Sequence, residues 1–309
     1  MKIYFLGAGA LGCAIGGTLA AAGSDVTLID RYQAHVDAIN RDGLFMKDGE
    51  TDRVVKVKAA TDSRGLPAAD LVIVLVKSFH TREAILSALP IVGKHTAVMS
   101  LQNGLGHEDI LVEAVGVSRV LAGKTYVGGV LLSPGHIIAG TRGKRTIIGE
   151  LDGAIGARVT AIAEEFERAE LPTTVSDNIV GTMWDKLLIN VATGALSGIT
   201  GLTYGGLYAV PEIEACAVAA VTEAMAVARA AGVKLSIQNP RDAWVMAADG
   251  LPAGFRTSML QSLEKGSVTE IDFINGAVLR AGKRHNVPTP VNHALVAAIK
   301  GIEYRMAHA

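Results

Sequence analysis

Short, unbroken apolar runs punctuate the first half of the chain: KIYFL at 2–6, DVTLI at 25–29, LVIVLV at 71–76 and TAVMSL at 96–101. Each is too short for a helix and too uniformly apolar to have one wet face. They predict strands covered on both sides, as in a parallel sheet flanked by helices. Helix-compatible stretches at 10–22 and around 82–89 alternate with them, the order of an α/β fold. From 120 to 149 the pattern changes to short β-like runs broken by Ser133-Pro134-Gly135 and by 141–144, which predicts a few strands added at a sheet edge, antiparallel ones among the options. Residues 158–169 predict a helix.

Beyond LPTTVSD (171–177) nearly every segment is helix-compatible: 178–197, 211–231, 241–248, 258–265, 268–281 and 290–306. Gly232, Pro240, Pro252, Gly266, Pro288 and Pro290 mark the breaks, as helix punctuation should. A chain of 309 residues exceeds what one core usually holds. The boundary is placed at 172–177, between an α/β domain (1–174) and an all-helical one (175–309).

Half of the residues are hydrophobic and 19% are charged, a composition that builds cores and argues against disorder. Lys plus Arg number 29 against 30 for Asp plus Glu, with no basic run, so nucleic acid is not an expected partner. Cys13 and Cys216 form neither a CxxC pair nor a Cys/His cluster, which points to a reducing compartment and away from structural zinc. Residues 3–22 imitate a secretory signal, yet five glycines interrupt the run, and cleavage would remove the most informative motif of the chain. No later apolar run reaches the roughly 20 residues of a spanning helix. A cytoplasmic protein without membrane attachment is expected.

That motif is Gly7-Ala8-Gly9-Ala10-Leu11-Gly12, which follows a strand and opens a helix. In this context GxGxxG predicts a dinucleotide-binding Rossmann-type domain. The first glycine allows the tight turn and the second lets backbone approach a pyrophosphate. The third lets helix pack on strand, and the helix N-terminus supplies N–H groups. A glycine-rich packing turn without a ligand is the plainer alternative. Asp30, 18 residues after Gly12, ends the second strand, where a carboxylate hydrogen-bonds a ribose and favours NAD. Arg31 beside it suits a 2′-phosphate and favours NADP; these two residues leave the choice open. Lys77 and Asn103 fall at carboxyl ends of later strands, where ligands of such sheets bind; a surface lysine and an Asn-Gly turn are the alternatives. In WDKLLIN (184–190), Lys186 and Asn190 share one face of an otherwise apolar helix. Burying an unpaired ammonium is costly, so that face looks either into water or into a site that uses a proton donor.

Taken together, GAGALG (7–12), Lys77, QNG (102–104), WDKLLIN (184–190) and SMLQ…TEID…NG (258–276) resemble the ketopantoate reductase (2-dehydropantoate 2-reductase) family nearly end to end. The resemblance implies a Rossmann domain and a helical domain with the active site between them. It further implies reduction of a 2-oxo acid to a 2-hydroxy acid by a nicotinamide cofactor, usually NADPH, in pantothenate biosynthesis. By position it makes Lys186 the proton donor, Asn190 and Ser258 substrate-binding residues, and Glu270 a carboxylate near the lysine and the nicotinamide. Arg31, Lys77, Asn103 and Gly129 join the glycine turn as cofactor-binding positions.

Local structure offers other duties for some of these. Ser267–Glu270 and Ser258–Gln261 both fit a capping box, so each can simply close a helix N-terminus. His285 and His293 read as ordinary surface or helix-end residues. Three positions where the family carries asparagine hold Gly194, Tyr204 and Phe255 here, which makes the pocket less suited to a small hydroxylated acid and implies a bulkier or more apolar substrate. A dehydrogenase acting on another hydroxy acid or alcohol and a non-catalytic dinucleotide sensor are the competing readings. The alanine-rich faces at 215–231 and 291–299 serve internal packing or a homodimer; the sequence leaves that open.

Overall fold

The structure, a computed structural model, describes residues 1–49 and 51–308. Two compact units form, one from Met1–Gln102 and His107–Ile179, the other from Asn103–Gly106 and Val180–Ala309.

The first unit begins β1 (Lys2–Leu6), α1 (Ala10–Ala21), β2 (Asp25–Ile29), α2 (Gln33–Asp42). Then come the hairpin β3 (Leu44–Asp48) and β4 (Thr51–Val55), β5 (Lys58–Ala60), β6 (Leu71–Val74), α3 (Thr81–Ser87) and β7 (Ala97–Ser100). It closes with α4 (His107–Val115), β8 (Val120–Thr125), β9 (Gly128–Ser133), β10 (His136–Gly140), β11 (Thr146–Glu150), α5 (Ala157–Arg168) and β12 (Thr173–Val175). The main sheet runs β12-β11-β8-β7-β6-β1-β2-β5. Its strands are parallel from β5 to β8, β11 pairs antiparallel with β8, and β12 runs parallel to β11.

The unbroken apolar strands are explained by what covers each face. Ile3 and Phe5 of β1 enter a core with α1 and α5, whereas Tyr4 and Leu6 enter another with α3 and α4. Leu71 and Ile73 of β6 divide from Val72 and Val74 in the same way. Period-two alternation therefore exists, but between two dry faces.

A second sheet, ordered β4-β3-β10-β9, lies over the other side of α1, and its Leu44, Met46, Val55, Ile137 and Ala139 join the α1 core. This corrects the expectation that the later strands only extend the main sheet: β11 and β12 do, while β9 and β10 pair with each other and with β3. It also explains why α1 is apolar all round, the property that made it imitate a secretory signal. A Cβ on Gly16 would sit 2.7 Å from Leu28, and one on Gly17 would sit 2.5 Å from the Met46 sulfur. Adjacent glycines thus let one helix touch two sheets.

The second unit is helical, with α6 (Ile179–Thr200), α7 (Tyr204–Leu207), α8 (Pro211–Ala230), α9 (Pro240–Ala248), α10 (Ser258–Glu264), α11 (Asn275–His285) and α12 (Pro290–Ala307). Its core gathers Trp184, Leu187, Leu188 and Val191 of α6 with Val221, Met225, Val278 and Ile299. The predicted helix at 268–281 is instead a 3-10 turn, Ile271–Phe273, then α11; Ile274 at φ −106°, ψ −97° breaks the run. Neither predicted capping box forms. Thr257, not Ser258, caps α10 by accepting from the Leu260 N–H at 3.1 Å, and the Glu270 side chain makes no cap. No helix among the described residues is long and apolar enough to cross a membrane.

Candidate active site

In the first unit the strand order reverses at β1, with β2 on one side and β6 on the other, and the glycine turn leaves the carboxyl end of β1. Each glycine of the turn answers a different steric demand. Gly7 has φ +104°, and a Cβ there would lie 2.7 Å from the Val76 nitrogen. On Gly12 a Cβ would be 2.0 Å from the Gly7 carbonyl oxygen, whereas one on Gly9 would meet nothing within 4 Å. The first and third glycines are consumed by packing; the second leaves a vacant approach to backbone. Gly9 is also the N-cap of α1, no side chain caps that end, and its first turn carries no acid. Ala10 and Leu11 follow, half-buried. Open backbone N–H groups at a helix N-terminus, uncovered by a Cβ, fit a pyrophosphate.

Side chains hold this turn in place. The Ala8 N–H donates to Asp30 Oδ2 at 2.8 Å, and the Ala8 carbonyl lies 2.9 Å from His35 Nε2 and accepts from Cys13 Sγ at 3.0 Å. The other ring nitrogen of His35, Nδ1, accepts from the Gly135 N–H at 2.9 Å, which leaves Nε2 as the donor to Ala8. Asp30 Oδ1 also accepts from the Tyr32 N–H at 3.0 Å. Asp30, expected to address a ribose, therefore has both oxygens engaged by backbone. His35 and Cys13 are not legible as loop-holding residues, because their partners are main-chain atoms, which no side-chain pattern marks. Burial pushes the Cys13 thiol up to about 12, so it serves as a hydrogen-bond donor rather than a nucleophile.

Arg31 points outward and pairs with Glu83 of α3 at 2.7 Å. Lys77 is exposed at the turn after β6. Gln102 fastens that turn to the one after β7, donating to the Val76 carbonyl at 2.6 Å and to Thr81 Oγ1 at 2.9 Å. Gly129 lies on β9 where a Cβ would come within 3.0 Å of the Ala10 carbonyl, so the strand backbone passes against the first residue of α1.

Glu108, in the first turn of α4, was not singled out by sequence. Burial raises its carboxyl to about 7. The folded state then holds a proton that the unfolded chain releases near its ordinary value, so this group's contribution to stability is fully present at low pH and is lost as pH rises from about 4.5 through 7. Glu108→Gln is expected to flatten that decline and to raise stability at pH 8 by about 1–3 kcal/mol, read from chemical denaturation at a series of pH values.

In the second unit Lys186 emerges from α6, half-buried, and its Nζ donates to Asn103 Oδ1 at 2.8 Å across 83 residues. Asn103 belongs to a four-residue segment, Asn103–Gly106, that packs with the helices. Leu105 of that segment donates its N–H to the Phe273 carbonyl at 2.8 Å. Gly104, at φ +94°, would place a Cβ 2.3 Å from the same carbonyl, so only glycine lets the segment approach. Phe273 closes the turn that starts at Glu270. The lysine, its amide partner and the glutamate-bearing turn are thereby joined. Asn190 lies one turn past Lys186 on α6, half-buried, and Ser258 is the exposed first residue of α10. Chemically, this face of α6 offers an ammonium held by an amide, with the Asn190 amide one turn along.

The chain matches the ketopantoate reductase PanE/ApbA family over residues 3–153 and the C-terminal domain of the same family over 178–303. It is 38% identical to the 2-dehydropantoate 2-reductase of Pyrococcus horikoshii, over 98% of each chain. Among solved structures it is similar to a PanE/ApbA family ketopantoate reductase from Ralstonia eutropha JMP134, with TM-score 0.90, 37% identity and all of both chains covered. It is also similar to D-mandelate dehydrogenase in complex with NADH and anilino(oxo)acetate, with TM-score 0.90 and 26% identity over 99% of this chain and 100% of that one.

Proposed function

The chain belongs to the ketopantoate reductase family, and on that premise we propose that it reduces a 2-oxo acid to the 2-hydroxy acid with NADPH, Lys186 delivering the proton. It is an NAD(P)-dependent oxidoreductase. The observation that carries the mechanism is the Lys186 ammonium held by the Asn103 side-chain carbonyl.

The nicotinamide, when bound, supplies the hydride. The protein's own groups do the rest. The N–H groups of the glycine turn and the end of α1 receive the pyrophosphate, Gly9 leaving room for it. As the carbonyl carbon is reduced, negative charge gathers on its oxygen; the Lys186 ammonium neutralises that charge and then releases a proton to it. Asn103 Oδ1 accepts from the ammonium and keeps it oriented, and Glu270 acts as a further anchor. Asn190 and the Ser258 hydroxyl hold the substrate, the latter at its carboxylate. Lys77 and Gly129 line the path of the dinucleotide.

NADPH is assigned through Arg31. Arg31 is an exposed guanidinium whose surface ion pair with Glu83 is worth little and yields readily to a phosphate. Arg31→Ala is expected to raise the KM for NADPH roughly tenfold, about 1.4 kcal/mol, with the KM for NADH changed far less. Tighter binding of NADH than NADPH by the wild-type protein would overturn this assignment. The function itself is tested by following NADPH oxidation with a panel of 2-oxo acids, ketopantoate included. Turnover of none of them, with the dinucleotide still bound, would favour a sensor.

A further inference from the structure

From Lys186 the same face of α6 continues through Asn190 to Thr193 and Gly194. At 1.5 Å per residue, Thr193 lies about 10 Å along the axis from Lys186. An aromatic cluster stands at that far end. Tyr204 brings its hydroxyl to 3.4 Å from Thr193 Oγ1, stacks on Tyr208 with centroids 5.8 Å apart, and meets the ring of Phe255 edge-on at 5.3 Å. Tyr208 in turn stacks on Trp244 at 4.1 Å and donates its hydroxyl to the Trp244 carbonyl.

Tyr204 and Trp244 are 7% and 2% exposed, while Phe255 exposes 36%. Phe255 is thus the open lip of a stack in which Tyr204 and Trp244 are buried and Tyr208 is half-buried. Its loop is fastened, since Tyr204 donates its N–H to the Phe255 carbonyl at 3.0 Å and Gly205 to that of Ala253 at 2.8 Å. The ring is therefore held before any ligand arrives. On the flank, a Cβ at Gly194 would meet only the Met259 methyl at 3.6 Å, so this turn of the helix leaves unfilled space beside a polarisable thioether.

Resting on the reading of Lys186 as the carbonyl's proton donor, we propose that Phe255, backed by Tyr204, selects 2-oxo acids that carry an aryl group. The lengths agree. A phenyl ring on a one-carbon tether ends about 5 Å from the carbonyl carbon, counting C–C steps of about 1.5 Å, and van der Waals contact adds about 4 Å. The polar head then meets Lys186, Asn190 and Ser258, and the ring meets Phe255 in the edge-to-face geometry that aromatic pairs favour. A compact, hydroxylated acid leaves that ring uncovered and brings its hydroxyl against carbon.

The test is steady-state reduction of phenylpyruvate, ketopantoate and 2-oxobutanoate by the wild-type protein, Phe255→Ala and Phe255→Leu. The wild type is expected to favour phenylpyruvate over ketopantoate in kcat/KM by tenfold or more. The ratio of phenylpyruvate to 2-oxobutanoate should fall about tenfold in Phe255→Ala and by less in Phe255→Leu. Thermal unfolding midpoints report that both variants fold. Preference of the wild type for ketopantoate, or equal loss on aryl and aliphatic acids in Phe255→Ala, would overturn the proposal while leaving a 2-oxo acid reductase. Reduction of no 2-oxo acid would instead remove the reading on which it rests.

Discussion

Lys186→Ala is expected to cut turnover by roughly 10²–10⁴-fold, the usual contribution of a positioned proton donor, while the dissociation constant for NADPH stays within about twofold. The split follows from position: Lys186 is held by Asn103 in the helical unit, and the glycine turn proposed to receive the pyrophosphate is built elsewhere in the chain. Lys186→Arg separates two roles. It keeps a cation beside the developing oxyanion, yet a guanidinium does not surrender its proton in this pH range, so an intermediate loss is expected. Lys186→Met preserves the bulk of the stem and controls for packing. Retention of wild-type turnover in Lys186→Met would remove the proton-donor assignment.

Two alanine substitutions in one turn should have opposite consequences. In Gly12→Ala the new methyl would overlap the Gly7 carbonyl oxygen at 2.0 Å, and that residue is anchored by its N–H to the Ile29 carbonyl at 2.8 Å. Main chain has little freedom to withdraw, so a loss of about 3 kcal/mol or more is expected, a fall in midpoint of roughly 6–12 °C. Gly9→Ala adds its methyl into open space at φ −65°, which alanine adopts without strain. Its midpoint should stay put while NADPH binding weakens tenfold or more, about 1.4 kcal/mol. Calorimetry and fluorescence titration of both variants separate the two effects. A Gly9→Ala protein that binds NADPH like the wild type would deny the pyrophosphate its place there.

What the sequence displayed and what it concealed differ in range. β1 and β2 are readable to the residue because each is a short, mostly apolar run between glycine or charged punctuation. The second sheet was not, since β10 finds its partner in β3, about ninety residues earlier, and alternation along a strand does not name its neighbour. α2 and the 44–60 strands are not evident because their apolar positions are sparse and become faces only in the fold, α2 on β3 and β5, β3 and β4 on α1, and β5 beside β2. Lys186 and Asn103 stood out individually, as a lysine on an apolar helix and an amide after a buried strand. Their meeting is a tertiary fact. Asp30 has the right spacing, and each of its oxygens accepts one backbone N–H while keeping a second lone pair for a hydroxyl.

The helix pressed between two sheets also dictates an order of events during synthesis. α1 is complete by residue 21, but the strands that roof it come from 44–55 and 128–140. Until residue 140 has left the ribosome, a greasy segment at the amino terminus has only half its shelter, and His35 lacks the Gly135 N–H that fixes its tautomer. The glycine turn is therefore encoded first and braced late, and chaperone capture of nascent chains should fade once β9 and β10 emerge.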